Sequence, residues 1–257
     1  MAPLLPEITD DNVRDLTDKI RKAIAGTGCG GVVIGLSGGI DSAVVAKLCV
    51  NAIGAEKVMC VFMPSRVTSA EDYQITLNLC KNWGTEYRIL DVQPAVDSLS
   101  AILTATTKTP LDRGNIIARC RMIVLYNLAK KFSRIVMGTS NESEMMIGYF
   151  TKFGDGACDM SPLSGIYKTQ VRQIAKIIGI PEKIIKKKPS AGLWEGQTDE
   201  EEIGITYDTM DPVLHLMASG RTDAEISEIT GTSAGIIASV RSKVKSTEHK
   251  RLPPICP

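Results

Sequence analysis

The sequence predicts an α/β protein built on a doubly wound parallel sheet that is flanked by helices. Four continuous apolar runs alternate along the chain with longer amphipathic stretches. This alternation is typical of parallel strands that crossover helices bury on both sides. Because ligands bind at the carboxyl ends of such strands, we expect the chemistry just after Leu36, Met63 and Met137.

Each element is predicted from its apolar period and from the residues that bound it. The residues before Gly30 predict only a helix and a turn. Strands are predicted at 31–36, 57–63, 86–92 and 134–137, and helices at 42–53, 69–83, 115–132, 168–178, 223–229 and 233–245. A polar segment at 186–202, which contains two glycines, predicts a loop.

Composition limits the classes of function. Hydrophobic residues make up 44% and charged residues 23%, the balance of an ordinary globular protein. The length suits one large domain or two small ones, and we expect a single domain over residues 1–257. A net charge of +1 argues against a nucleic-acid partner, which would favour a basic face. No apolar run reaches the ~18 residues of a membrane span. The seven cysteines include no Cys-x-x-Cys pair, so we expect reduced thiols and a cytoplasmic protein.

The most specific motif is Ser-Gly-Gly-Ile-Asp-Ser at 37–42, between a predicted strand and a predicted helix. Glycines allow backbone N–H groups to approach an anion, and the following helix directs its positive end to the same point. A carboxylate in such a loop suits Mg²⁺ that bridges it to phosphate. The alternative is a glycine-rich turn with a simple helix cap. The expected phosphate-binding residues are Gly35, Leu36, Ser37, Gly38, Gly39, Ile40, Asp41 and Ser42.

This motif resembles the signature of the N-type ATP pyrophosphatases, which cleave ATP to AMP and pyrophosphate. It matches neither the Walker A pattern nor Gly-x-Gly-x-x-Gly. The superfamily includes several synthetases and tRNA-modifying enzymes, and the loop alone does not choose among them.

A second group of residues distinguishes among the members of this superfamily. Residues 138–144 read Gly-Thr-Ser-Asn-Glu-Ser-Glu, and residues 151–156 read Thr-Lys-Phe-Gly-Asp-Gly. Together they resemble the ammonia-dependent NAD synthetases, with a further match at 247–251. The resemblance implies an adenine nucleotide alpha-hydrolase-like, Rossmann-like fold. It also implies ATP-dependent amidation of deamido-NAD to NAD.

Candidate residues for ATP and metal follow. Glu144 has no hydrophobic reason to follow a strand end, and with Asp41 it offers Mg²⁺ two carboxylates. Lys168 could balance charge on the phosphates during catalysis. Without the resemblance, both residues could equally be solvated helix-surface groups. The resemblance assigns ATP contacts to Arg66, Gln74, Thr139, Lys168 and Ser190, the last at a position where the family usually has Thr.

The resemblance assigns deamido-NAD to a second set of residues. Arg119 suits a phosphate or carboxylate, although an ion pair with Asp112 is the alternative. His249 would be an ordinary surface residue outside its Glu-His-Lys-Arg context. The assigned residues are Asn115, Arg119, Lys152, Asp159, His249 and Lys250.

The implied reaction has two steps. The nicotinate carboxylate attacks the α-phosphorus of ATP, and ammonia then displaces AMP from the adenylate. Asp155 is assigned to orient or deprotonate ammonium, with Asp41 and Lys168 as the other catalytic groups.

The chain has no room for a glutaminase domain, so ammonia should come from solution or from a partner. The rivals are a tRNA-modifying ligase, which would favour cysteine pairs and a basic face, and a non-catalytic nucleotide-binding module.

The helix predicted at 115–132 is apolar around most of its circumference. Such a helix is buried on more than one side. We therefore expect a homodimer with a shared substrate site, in which the tail with His249 and Lys250 reaches the partner's Arg119. Cover by a second layer of the same chain is the alternative.

Overall fold

Four parallel strands form the central sheet. The computed structural model describes residues 4–194 and 196–253. The strands are β1 (Gly31–Gly35), β2 (Val58–Phe62), β3 (Glu86–Ile89) and β4 (Arg134–Met137). Their order across the sheet is β3-β2-β1-β4, and every neighbouring pair is parallel. The chain therefore proceeds outward from β1 to β3 and returns to the other side of β1, which creates a crevice between β1 and β4.

Helices connect and surround these strands. In chain order they are α1 (Asp10–Gly26), α2 (Ile40–Ile53), α3 (Ala70–Trp83), α4 (Gln93–Ile102), α5 (Pro110–Phe132), α6 (Glu142–Ile147), α7 (Lys168–Ile177), α8 (Glu182–Ile185), α9 (Asp199–Ile203), α10 (Tyr207–Ala218), α11 (Asp223–Thr230) and α12 (Ala234–Ser246). Two 3₁₀ turns lie at Ala55–Lys57 and Glu248–Lys250. Within the described ranges, no helix has the length and apolar content needed to cross a membrane.

Helices cover both faces of the sheet. On one face, side chains of α1, α2 and α7 enclose a core with Val32 and Ile34. On the other face, side chains of α4 and α5 enclose a core with Val33 and Met59. These four strand residues are fully buried, which explains why the strands are apolar without alternation. The predicted doubly wound parallel sheet is confirmed.

A third apolar cluster lies beside the sheet. Helices α6, α10, α11 and α12 pack on one another around Tyr207, Met210, Leu214 and Ile226. Helix α10 also packs against α7, which joins this helical layer to the sheet. The sequence did not predict α10, because Pro212 lies inside the helix and proline usually ends one.

Most predicted elements are confirmed within a few residues, and two are corrected. The strand predicted at 86–92 ends at Ile89, because the chain turns at Val92 into α4, which has a proline in its first turn. The loop predicted at 186–202 is wrong over its last residues, where α9 begins at Asp199. The short helices α4, α6, α8 and α9 were not predicted.

Candidate active site

A cavity of about 570 Å³ lies at the carboxyl ends of β1, β2 and β4. The phosphate loop at 35–42, Met63 and the residues from Gly138 to Ser140 contribute to its lining. Residues of α5 and of the segment 187–199 complete it. The cavity thus lies where the strand pattern predicted the chemistry, beside the crevice between β1 and β4.

The phosphate loop is held open by its own hydroxyls. The Ser37 and Ser42 Oγ atoms are 3.1 Å apart, and the Gly39 N–H donates to Ser37 Oγ at 3.2 Å. Gly38 has φ +84°, and a Cβ atom there would lie 2.8 Å from Asp72 Oδ1. The helix α2 that follows has no side-chain cap, so its first N–H groups face the loop without a side-chain partner. This is the arrangement of an anion site at a helix N-terminus.

Two carboxylates and one ammonium meet beside this loop. Lys168 Nζ lies 2.5 Å from Asp41 Oδ2 and 3.2 Å from Glu144 Oε1. Lys168 is 2% exposed, so the alternative of a solvated helix-surface lysine is wrong. The Nζ atom also lies 5.3 Å from the centre of the Tyr207 ring, within reach of a cation–π contact.

Burial and charge act against each other in this cluster. Burial raises the pKa of Glu144 to about 8, the charge of Lys168 opposes the rise, and that of Asp41 adds to it. Burial alone would lower the pKa of Lys168, but the charges of Asp41 and Glu144 reverse the effect and raise it. Lys168 therefore stays an ammonium ion, held between the side chains of Asp41 and Glu144.

A buried hydrogen-bond network fixes these groups. Asn141 caps α6, accepts from the Glu144 N–H at 3.1 Å and donates from Nδ2 to Asp41 Oδ1 at 3.0 Å. The Ser143 hydroxyl accepts from the Lys168 N–H at 2.9 Å and donates to Asp211 Oδ1 at 2.6 Å. The ends of α6, α7 and α10 are therefore tied together behind the site.

The cavity contains most of the residues predicted for ATP. Ser37, Gly39, Asp41, Ser42, Thr139, Lys168 and Ser190 all line it, as do Gly35, Leu36 and Ile40. Gly38 lies in the same loop but is not part of the lining. Arg66 and Gln74 lie outside the lining and are exposed, and Arg66 Nη2 is 3.2 Å from Asp97 Oδ2.

Residues predicted for deamido-NAD lie together in a second cluster, outside the cavity lining. Lys152 Nζ donates to the His249 carbonyl at 2.7 Å, and Arg119 Nη2 donates to the Lys152 carbonyl at 3.4 Å. Lys250 Nζ donates to the Gly148 and Phe150 carbonyls at 2.7 and 2.9 Å. These residues meet within one chain. The prediction that the tail with His249 and Lys250 extends to a partner's Arg119 is therefore not needed to explain how they come together.

Two other predicted residues have structural partners. Asn115 Oδ1 accepts from Thr151 Oγ1 at 2.8 Å, which ties α5 to the segment that carries Lys152. Asp159 Oδ2 accepts from the Val136 N–H at 2.8 Å, at the edge of β4. Asp155 is exposed, lines the cavity and accepts from the Thr151 N–H at 2.9 Å.

Sequence reasoning missed several residues of the site. Asn141 follows a strand end and precedes Glu144 by three residues, which is a capping pattern that could have revealed it. Arg121 lines the cavity and donates from Nε to the Met63 carbonyl at 3.1 Å. Asp199 is 3% exposed and also lines the cavity. A lone acidic residue in a polar segment gives no sequence signal of this kind.

Comparison with known proteins identifies relatives along nearly the whole chain. The family model described as NAD synthase matches residues 12–254. An NH(3)-dependent NAD(+) synthetase of Methanocaldococcus jannaschii is 43% identical over 251 residues, covering 96% of this chain and 97% of that protein. The protein of the same description from Pyrococcus furiosus is 46% identical over 231 residues, with 88% of each chain covered.

Solved structures share the fold. An NMN synthetase from Francisella tularensis has a TM-score of 0.87 and 36% identity, covering 98% of this chain and 99% of that one. An NH3-dependent NAD synthetase from Campylobacter jejuni, in complex with nitrate, has a TM-score of 0.81 and 29% identity, covering 95% and 97%. A glutamine-dependent NAD+ synthetase from Acinetobacter baumannii matches 98% of this chain but only 48% of its own length, with a TM-score of 0.67 and 27% identity.

Proposed function

The chain belongs to the NAD synthase family, a family of ligases that form a carbon–nitrogen bond, and from that premise we propose that its cavity amidates deamido-NAD with ammonia and ATP. The products are NAD, AMP and pyrophosphate. The observation that carries the proposal is the Lys168 ammonium held between Asp41 and Glu144 beside the phosphate loop. A binding module would need the loop but not this buried cluster.

ATP binds, in this proposal, along the loop at 35–42 with its phosphates toward Lys168. Thr139 and Ser190 add hydroxyls to the cavity lining. Arg121 supplies a further guanidinium at the cavity surface. Contact of Arg66 and Gln74 with adenosine remains a prediction. Because both residues lie outside the cavity lining, the adenosine would have to extend beyond it.

Mg²⁺ fits the donor set of the site. Asp41 and Glu144 already gather around one cation, and Mg²⁺ binds through one or two carboxylates together with phosphate oxygens. These two residues would hold the ion, which supplies charge neutralisation for the phosphates. Asn141 keeps the Asp41 carboxylate in place through its amide.

The first step is proposed to form a nicotinyl adenylate. A free carboxylate resists ammonia because its leaving group would be oxide, whereas the mixed anhydride with AMP has a good leaving group. Lys168 lies where it can balance the charge on the phosphates during this transfer. Since holding two anions together is the main task, no covalent enzyme nucleophile is required.

Deamido-NAD is proposed to reach the cavity past the second cluster. Arg119, Lys152 and Lys250 bring three cations to the short segment 148–153, next to the cavity residues Gly154 and Asp155. Cations in this position suit the diphosphate of a dinucleotide. Asn115, Asp159 and His249 are proposed to contact the same substrate.

Synthesis of NMN is the second candidate, because the F. tularensis structure described as an NMN synthetase has a TM-score of 0.87. Deamido-NAD and nicotinate mononucleotide share the carboxylate that reacts, and they differ in the adenylyl half. Side-by-side kcat/KM values for the two substrates decide between the candidates. A clear preference for the mononucleotide would replace the first proposal.

Ammonia is the proposed nitrogen donor, and residues 1–257 are proposed to form one synthetase domain. The match to the A. baumannii glutamine-dependent protein covers 48% of that protein. We also propose a reducing, cytoplasmic setting, because all six cysteines in the described ranges are free.

A homodimer is proposed from the surface of α5. Ile123 is 59% exposed, and Ile102 at the end of α4, which packs against α5, is 76% exposed. Exposed large apolar residues on two packed helices fit an isologous contact, in which the same patch serves both subunits. Arg119 lies one turn before Ile123, so deamido-NAD would bind close to that contact.

The deciding experiment incubates the protein with ATP, deamido-NAD and ammonium chloride. AMP, pyrophosphate and NAD should appear together, and pyrophosphate should not appear without the nicotinate substrate. Formation of ADP and orthophosphate would contradict the proposal. Glutamine in place of ammonium should give no NAD.

A further inference from the structure

Asp199 carries an oxygen atom that the fold leaves without a partner. The residue is 3% exposed and lines the cavity, yet its Oδ1 atom has no hydrogen-bond partner among the described residues. The other oxygen, Oδ2, accepts from the Tyr207 hydroxyl at 3.2 Å. An unpaired carboxylate oxygen inside a protein is costly unless a cation or a donor reaches it.

The surroundings of Asp199 suit a small cation. Tyr149 is close enough that the charge of Asp199, after burial, contributes to raising the pKa of its hydroxyl. Tyr149 also lines the cavity, and the Tyr207 ring lies 5.3 Å from Lys168 Nζ, which shows that this part of the site accommodates a cation. Lys168 pairs directly with Asp41 and Glu144, and it acts on Asp199 through its charge, which opposes the rise that burial causes in the pKa of Asp199.

One carboxylate oxygen without a partner within the described ranges and a neighbouring tyrosine hydroxyl suit a singly charged ion that donates hydrogen bonds in several directions. Ammonium is such an ion.

We propose that Asp199 binds and positions ammonium for attack on the adenylate, with Oδ1 as the acceptor. This inference rests on the proposed amidation and names the site of its second substrate. It assigns to Asp199 the role that the resemblance gave to Asp155, whose Oδ1 atom already accepts from the Thr151 N–H at 2.9 Å.

The step balances as follows. Bound ammonium gives one proton to the Asp199 carboxylate and becomes ammonia. The nitrogen lone pair attacks the carbonyl carbon, a C–N bond forms, and the C–O bond to AMP breaks with its electron pair leaving on the phosphate. The nitrogen then loses a second proton to solvent, which gives the neutral amide.

The test uses Asp199→Asn, which keeps the shape of the side chain and removes its charge. Glu201→Gln is the matched control, because Glu201 is an exposed acid on the same helix and is not part of the lining. For Asp199→Asn the KM for ammonium should rise about tenfold or more, as expected for a lost charge-assisted hydrogen bond. Pyrophosphate exchange into ATP, which reports adenylation without ammonium, should fall by a much smaller factor than the KM for ammonium rises.

A second readout locates the ion directly. Crystals of the wild-type protein soaked in thallium(I), a singly charged ion of similar size to ammonium, should show an anomalous peak next to Asp199 Oδ1. The Asp199→Asn crystals should lack that peak. Loss of pyrophosphate exchange with an unchanged KM for ammonium, or no thallium peak at Asp199 in the wild type, would overturn the inference. Absence of pyrophosphate exchange in the wild type would instead contradict the proposed amidation itself.

Discussion

Gly38 sets the shape of the phosphate loop through its backbone. Its φ of +84° is unfavourable for any residue with a Cβ atom, and that atom would lie 2.8 Å from Asp72 Oδ1 and 3.2 Å from the Asp72 Cα. Asp72 is in turn held by an ion pair with Lys187 of the cavity lining. A side chain at Gly38 would therefore push the loop away from α3.

We expect Gly38→Ala to lose most adenylation activity while the protein remains folded. The control is Gly28→Ala, since Gly28 also has a positive φ of +70° but has no atom within 4 Å of the added Cβ. That control should lose only the roughly 1 kcal/mol of left-handed strain. Pyrophosphate exchange and thermal melting measure both effects. Full activity in Gly38→Ala would show that the loop does not require its present path.

Lys168 lies between Asp41 and Glu144, the two carboxylates that we propose bind Mg²⁺ when ATP is present. Lys168→Met leaves Asp41 and Glu144 facing each other without a counter-charge. We expect pyrophosphate exchange to fall about a hundredfold or more. We also expect Mn²⁺ to bind more tightly without nucleotide, because the competing ammonium is gone.

Electron paramagnetic resonance of free Mn²⁺ measures the second effect in the absence of ATP. Lys176→Met is the matched control, because Lys176 is an exposed lysine on the same helix. It should match the wild type in both assays. If Lys168→Met binds Mn²⁺ no better than the wild type, the two carboxylates do not form the metal site.

At the scale of elements, Asp211 joins three helices behind the site. It is fully buried on α10, and its carboxylate accepts from Ser143 on α6 and from the Thr169 N–H and hydroxyl on α7, at 2.6 to 2.8 Å. Burial raises the pKa of Asp211 above its ordinary value of 3.8, although these hydrogen bonds oppose the rise. Folding therefore favours the protonated form of this group.

The sign of the resulting pH dependence follows from that shift. A carboxyl group with a raised pKa in the folded state contributes stability below its unfolded pKa, and it loses that contribution as pH rises through the folded pKa. We expect Asp211→Asn to cost about 1–3 kcal/mol in the free energy of unfolding. The wild type should exceed the variant by more at pH 4 than at pH 7.5, as measured by urea denaturation. A difference that grows as pH rises would contradict this.

The same network shows what a sequence can and cannot predict. The strands and the phosphate loop were predictable, because apolar runs and the Ser-Gly-Gly-x-Asp-Ser motif are local patterns. The meeting of Lys168 with Asp41 was expected only through resemblance, since 127 positions separate the two residues. Asp199 and Asp211 could not be predicted, because both depend on α10, a helix whose internal proline hides its pattern: Asp211 lies on it, and Asp199 accepts from Tyr207 at its start.

At the scale of the whole molecule, the proposed sites for ATP and deamido-NAD are formed by different elements. The ATP cavity is lined by the sheet ends, α5 and the segment 187–199 of one chain. The deamido-NAD cluster lies on the segment 148–153, against α5 and the 3₁₀ turn Glu248–Lys250. Arg119 of the second region lies one turn from the exposed Ile123 on α5, whereas the phosphate loop lies between β1 and α2, so assembly should affect deamido-NAD more than the phosphates of ATP.

We expect Ile123→Glu to convert the proposed dimer into a monomer, because a charge at the centre of an isologous contact is placed there twice. Ile236→Glu is the matched control, since Ile236 is 40% exposed on α12, away from α5, and should leave the assembly unchanged. Sedimentation equilibrium at micromolar protein measures the assembly state of both variants. In the Ile123→Glu monomer the affinity for ATP should stay near that of the wild type, since the phosphate loop lies between β1 and α2 and not on α5. The KM for deamido-NAD should rise, because Arg119 lies one turn from the lost contact. A wild-type protein that sediments as a monomer would contradict the dimer, and a monomeric variant with an unchanged KM would place the whole deamido-NAD site within one chain.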